Sequence, residues 1–138
     1  ARIFLNNNIQ QYDIIIADIY SDSSVPFILT TKQYSDGLKK SLTNEGLVIA
    51  NVIGSTKDSC VAYFGGIDKN YKINFTNAKY FPLSDISMQT KQNIIIAYSN
   101  SSLSWAKFGL DSYSDLQQSI PNFIDTYSPV EHLQNKCK

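Results

Sequence analysis

Residues 12–20 read YDIIIADIY, and Ile14, Ile15, Ile16 and Ala17 form an unbroken apolar run. A strand with one wet face alternates apolar and polar residues. An unbroken run instead needs cover on both faces, as a strand in a parallel sheet has. Residues 21–26, SDSSVP, then form a loop. Thr30 and Gln33 are spaced as a capping box, with Thr30 as N-cap. Tyr34, Leu38 and Leu42 follow at i, i+4 and i+8 and share one helical face. Asn44 and Gly46 are expected to end that helix. Residues 46–54, GLVIANVIG, make a second strand-like run.

A second helix is expected to open at Ser55, with Asp58 three residues on. Its apolar face is Cys60, Phe64, Ile67 and Tyr71, and the pair Gly65-Gly66 is expected to break or bend it. Residues 72–81 partly alternate, and residues 93–98, NIIIAY, are a strong β run. The polar loop PLSDISMQTKQ joins them, so they suit antiparallel neighbours. Residues 112–138 read as helical and then irregular, punctuated by Pro121 and Pro129. Strand–helix alternation predicts parallel strands with crossovers, here with an antiparallel pair at the end. The expected class is α/β, a three-layer α/β/α arrangement in a single domain over residues 1–138.

With 138 residues, 43% of them hydrophobic, the chain has enough apolar side chain for one core. Twelve basic residues balance twelve acidic ones, which argues against a broad nucleic-acid binder. No apolar run reaches the roughly 20 residues of a membrane-spanning helix. The start, ARIFLNNN, lacks a basic-then-apolar leader pattern. Cys60 and Cys137 are too few for a disulfide framework or a zinc site. Cys60 reads as a core residue, and a reducing, cytoplasmic setting is expected. His132 beside Glu131 is a surface or packing pair, because a metal site needs three or four convergent ligands. No metal is expected.

In open α/β sheets ligands bind beyond the carboxyl ends of the strands. Asp18 lies where the first strand ends, and Asp22 and Tyr20 are in the loop beyond it. A carboxylate there can hydrogen-bond an amine and accept its proton.

The segment YDIIIADIYSDSSVPFILTTKQY, followed by LTNEGLVIANVIGS, resembles the spermidine synthase-like (polyamine aminopropyltransferase) family. The tail PNFIDTYSPVEHL is similar to that family's D-x-Y-[AS]-P-V-[ED]-x-L segment. The resemblance implies the S-adenosylmethionine-dependent, Rossmann-like methyltransferase fold. Within it, residues 12–17 would be strand four, residues 47–52 strand five, and residues 72–81 and 92–99 the terminal antiparallel pair. The chain would then be the C-terminal half, strands four to seven, with residues 112–138 as C-terminal helix and irregular tail. The glycine-rich turn that approaches the cofactor would lie outside it, since none of the six glycines makes G-x-G-x-G after a strand.

By this resemblance Asp18 is the catalytic base, Asp22 and Tyr20 bind substrate, and Arg2 is the remnant of an adenine-contacting D-[AG]-R turn. S-adenosylmethionine or its decarboxylated form would be the donor, transferred by direct displacement at a carbon on the sulfonium. The gate loop carries one extra residue relative to D-[ST]-[ST]-D-P. Residues 51–55 read NVIGS where Q-G-E is usual, and residues 84–89 read SDISMQ where Y-P-S-G is usual. Both changes remove amine-binding groups. The expected function is an aminopropyl transferase domain, incomplete and inactive alone. The alternatives are a non-catalytic dimerising interaction module and a small-molecule methyltransferase relative. A homodimer, or association with the missing N-terminal half, follows from the open edge of strand four.

Overall fold

The computed structural model describes residues 1–20, 25–57, 59–104, 106–107, 109–113, 120 and 122–137. Four strands form one mixed sheet: β1 (Tyr12–Ala17), β2 (Leu42–Gly54), β3 (Asn77–Pro82) and β4 (Gln92–Ser99). Their spatial order is β1-β2-β4-β3. β1 is parallel to β2, whereas β4 is antiparallel to both β2 and β3. Helices α1 (Arg2–Asn7), α2 (Lys32–Lys40), α3 (Cys60–Lys72) and α4 (Val130–Lys136) complete the described elements. The alternation read from the sequence is therefore present, with α2 as the crossover between the parallel strands.

The pleat assigns the two faces. Ile15, Ala17, Val48, Ala50, Val52, Ile94, Ile96 and Tyr98 share the first face by register. Nearly all are buried, and α3 lies on them, with Tyr71 stacked on Tyr98 at a centroid distance of 4.7 Å. The second face carries Ile14, Ile16, Leu47, Ile49, Ile95 and Ala97. At the β3 side Gly109 closes on Phe81 and Lys79. At β1, Ile14 and Ile16 remain 57% and 73% exposed. The cover demanded by the apolar run is thus present on one face of β1 and lacking on the other among the described residues.

A buried carboxylate fastens α3 to the sheet. Asp68 is 2% exposed. Its Oδ1 accepts hydroxyl bonds from Tyr80 (2.9 Å) and Tyr98 (2.6 Å), and its Oδ2 accepts one from Tyr113 (2.6 Å). Lys72, one turn along α3, pairs with Oδ2 at 2.9 Å and lies over the rings of Tyr80 and Tyr113. Burying a carboxylate costs several kcal/mol unless its lone pairs are matched in this way. Burial, then the neighbouring Asp68 charge, pushes the Tyr80 and Tyr98 hydroxyls well above their ordinary range, so they remain donors.

Several local expectations are corrected. Thr31, not Thr30, caps α2 and accepts from the Tyr34 amide. Thr30 instead donates to the Phe27 carbonyl, closing the short 3-10 turn Phe27–Leu29. Asn44 and Gly46 do not end a helix. The chain enters β2 at Leu42, and the pairing register slips between Tyr12↔Leu42 and Ile14↔Leu47. The start of β2 folds back there, so a Cβ on Gly46 would meet Leu42 at 2.8 Å. Gly65-Gly66 does not break α3, which runs unbroken from Cys60 to Lys72. Gly66 is a seat for the buried Phe123, whose ring tip would lie 2.1 Å from an added Cβ. Ser59 precedes α3 without a side-chain cap, Ser55 bonds Lys57 in the loop before it, and Asp58 lies outside the described residues. In the tail, the helical part expected at its start falls largely on residues 114–119, which lie outside the described residues, and a described helix, α4, lies near the end, where irregular chain was expected.

The cysteines are also corrected. Cys60 and Cys137 form a disulfide across 77 residues of sequence, joining the start of α3 to the end of α4. Only the fold brings them together, so spacing alone did not reveal the pair. With it goes the ground for expecting a reducing compartment, since disulfides persist mainly in oxidising ones.

The loop between β3 and β4 is organised by Asp85. Its carboxylate accepts from the Ser87 hydroxyl and amide and from the Gln89 and Thr90 amides. Met88 takes a left-handed backbone (φ 56°), and its carbonyl accepts the Thr56 amide at 2.7 Å. The loop is thereby pinned to the residues just after β2. The Ser87 hydroxyl first, then the amides, hold the Asp85 carboxyl down at about 2.

Three outcomes follow. Replacing Asp68 by Ala removes the acceptor of the buried Tyr80 and Tyr98 hydroxyls and should cost about 3–5 kcal/mol in urea unfolding. Lys72→Met, which removes a half-exposed charge, should cost under about 1 kcal/mol. Asp85 should titrate near 2 by carboxyl-carbon NMR. Because its folded value is depressed, its stabilising part is full above its unfolded value of about 4 and is lost as pH falls through the folded one. A measured value near 4 would mean the Ser87, Gln89 and Thr90 bonds do not persist.

Candidate functional site

β1 ends beside Ala50, and the parallel β2 continues past it to Gly54. The register aligns Ile16 with Ile49 and Ala17 with Ala50, so the next residues, Asp18 and Asn51, are neighbours. Asn51 Nδ2 donates to Asp18 Oδ1 at 3.3 Å. Asp18 is exposed, so its carboxylate can reach a solute. Asn51 Oδ1 is buried and has no hydrogen-bond partner among the described residues.

Tyr20 is fixed to the neighbouring strand. The Ile53 amide donates to its hydroxyl at 2.5 Å, and that hydroxyl also bonds the Tyr63 hydroxyl of α3 at 3.3 Å. Burial raises the Tyr20 and Tyr63 hydroxyls above their ordinary values, so both are neutral at physiological pH. Tyr20 therefore props the Asp18 segment against β2 and α3 with its polar end already engaged. Asp22 lies outside the described residues. Arg2 starts α1 and pairs with Asp125 at 2.6 Å. Asp125 in turn accepts from Thr31, the α2 cap, at 2.7 Å. Arg2 is thus the tie between α1, the C-terminal segment and the start of α2.

Asn51, Tyr63 and Asp125 were not read as site residues from the sequence. A signal for Asn51 is present: the triplets Ile16-Ala17-Asp18 and Ile49-Ala50-Asn51 are nearly identical, and in-register parallel pairing sets their third residues together. Tyr63 and Asp125 carry no such mark, since their partners depend on tertiary docking.

The residues present do not make a cradle for a nucleoside sulfonium donor. Gly37, Gly46, Gly54, Gly66 and Gly109 each give their missing side chain's space to Leu5, Leu42, Phe64, Phe123 and Phe81, respectively. No described glycine has a positive φ. Among the described residues no group of three or more His, Cys, Asp or Glu could hold a metal. No described helix is long and apolar enough to cross a membrane.

No protein-family model matches the chain, and no curated protein matches it. Solved structures do. A probable spermidine synthase from Corynebacterium glutamicum ATCC 13032 aligns with TM-score 0.60 and 18% identity, covering 74% of this chain and 36% of that one. A protein assigned as an O-methyltransferase from Nostoc punctiforme PCC 73102 aligns with TM-score 0.44 and 18% identity, covering 65% of this chain and 32% of that one. The chain thus spans about a third of the length of either protein. Its mixed sheet, with two parallel strands followed by an antiparallel insertion, shares the Rossmann-like, methyltransferase-type fold of the aligned part of that probable spermidine synthase.

Proposed function

We propose that this chain is the acceptor-side half of a spermidine synthase-like transferase. The observation that carries this reading is the Asp18–Asn51 pair at the carboxyl end of β1. An amine seated there donates to the exposed Asp18 carboxylate, whose Oδ1 Asn51 Nδ2 holds in place. Asp18 orients the nitrogen and takes the proton it loses on forming its new bond to carbon. Tyr20 holds the strand end in place through Ile53 and Tyr63. The donor nucleoside belongs to the glycine-rich half of the fold, because the glycines here are occupied by packing.

That other half has a docking edge in β1. One side of β1 pairs with β2, the only strand bonded to it among the described residues. Its exposed Ile14 and Ile16 lie beside a cavity of about 400 Å³ that Phe4, Leu5 and Tyr34 also line. A solved relative of nearly three times the matched length supplies the reason to expect a strand there. The occupant is that remaining portion of the fold, and without it the edge pairs with a second copy.

In the complete protein Asp18→Asn should lower aminopropyl transfer by about 10²–10⁴-fold with nucleoside affinity nearly unchanged. Retained transfer would remove Asp18 from the chemistry, and transfer of a methyl group in its place would move the reading to a small-molecule methyltransferase. The 138-residue chain should sediment as a dimer or larger at micromolar concentration, and Ile16→Lys should return it to monomer. A strictly monomeric unmodified chain would count against the docking edge.

A further inference from the structure

We infer that the Cys60–Cys137 disulfide is a redox latch that holds α4 against α3 and, through α4, holds Val25. Cys60 is the first residue of α3, and Cys137 follows the last residue of α4. Two further contacts lie at the same junction: the Ser59 hydroxyl donates to the Lys136 carbonyl, and Lys91 Nζ donates to the Cys137 carbonyl at 2.7 Å. Three residues before Cys137, the Gln134 side-chain oxygen accepts the Val25 amide at 3.4 Å. On α3, three residues beyond Cys60, Tyr63 meets the Tyr20 hydroxyl. The covalent bond therefore joins the helix that touches Tyr20 to the helix that touches Val25.

The latch suits reversible use because α4 is short: it has seven residues, with Val130 its buried one, and its other ties include the contacts at Ser59, Lys91 and Val25 and the packing of Leu133 on the core. Short elements with few buried residues open at low free energy. Both sulfurs are buried in the closed form, Cys60 being 5% and Cys137 1% exposed, so exchange proceeds through a transient lifting of α4. An external dithiol then attacks one sulfur and resolves the mixed disulfide. Two electrons and two protons pass to Cys60 and Cys137, and the dithiol becomes a cyclic disulfide. A small-molecule disulfide such as oxidised glutathione carries the reverse step. The effect on transfer rests on the proposed site at Asp18, but the latch itself does not.

The test is hydrogen exchange on the full chain, with thiols counted by alkylation and mass. In the oxidised chain no thiol alkylates, and the amides of Val25, Leu133 and Cys137 are protected. Excess dithiothreitol should expose two thiols and speed exchange at those amides at least about tenfold. The amides of residues 48–52 and 94–98 should stay protected, and oxidised glutathione should restore the first state. Cys137→Ser should show the reduced pattern in oxidising buffer, and Gln134→Ala should speed exchange at Val25 with the disulfide intact. Three results would overturn the latch: unchanged exchange after reduction, a bond that resists excess dithiothreitol, or loss of protection across β2 and β4. The last would make the disulfide a staple of the whole fold. If Cys137→Ser does not fold, reduction of the unmodified chain still decides the matter.

Discussion

The Asp68 carboxylate sets the geometry on which the remaining packing depends. It brings together β3, β4 and the segment at Tyr113 through hydroxyl donors from Tyr80, Tyr98 and Tyr113. A buried carboxylate is costly unless such donors match its lone pairs. The requirement works in reverse as well. Tyr80 and Tyr98 can be buried in an otherwise apolar layer because one acceptor serves both. With α3 located in this way, Tyr71 stacks on Tyr98 and Gly66 receives Phe123. Phe123 carries the tail back to α2, where its carbonyl accepts the Lys32 amide at 2.7 Å.

The candidate site rests on a second constraint, the parallel register of β1 and β2. Its ladder fixes Asp18 against Asn51, and the β2 end is braced from three sides. Tyr20 bonds Ile53, Thr56 bonds the Met88 carbonyl, and Gln92 orders Ser84 and Asp85 in the facing loop. A strand end so braced presents Asp18 in a fixed position, which positioning catalysis requires. The exposed side of β1 shows the converse. Ile14 and Ile16 have the composition of buried residues and the exposure of surface ones, the mark of an edge that expects a neighbour.

The apolar run at Ile14–Ala17 and the periodicities of α2 and α3 were legible because burial leaves a local pattern in sequence. So was Asp18, since a polar residue directly after such a run falls at a strand's carboxyl end. Features that depend on distant partners were not. Gly65-Gly66 looks like a helix break until Phe123 is present to fill the groove beside Gly66. Cys60 looks like a core thiol, with no mark of a bond to Cys137, until α4 returns to the head of α3. Asp68 looks like one more surface charge on a helix, because nothing nearby in sequence announces three tyrosine donors. Asn44 and Gly46 carry the chemistry of a helix stop, but the helix has already ended at Lys40 and they form the irregular start of β2 instead.

The central claim is that these residues hold the acceptor side of a transferase and leave the donor nucleoside to another portion of the fold. Calorimetric titration of the 138-residue chain with 5′-methylthioadenosine addresses it most directly. The account predicts no binding tighter than about millimolar, because none of the six glycines makes a G-x-G-x-G turn after a strand and five of them are filled by Leu5, Leu42, Phe64, Phe123 and Phe81. Micromolar binding by this chain alone would contradict it, and would mean that the donor site is built from the residues described above.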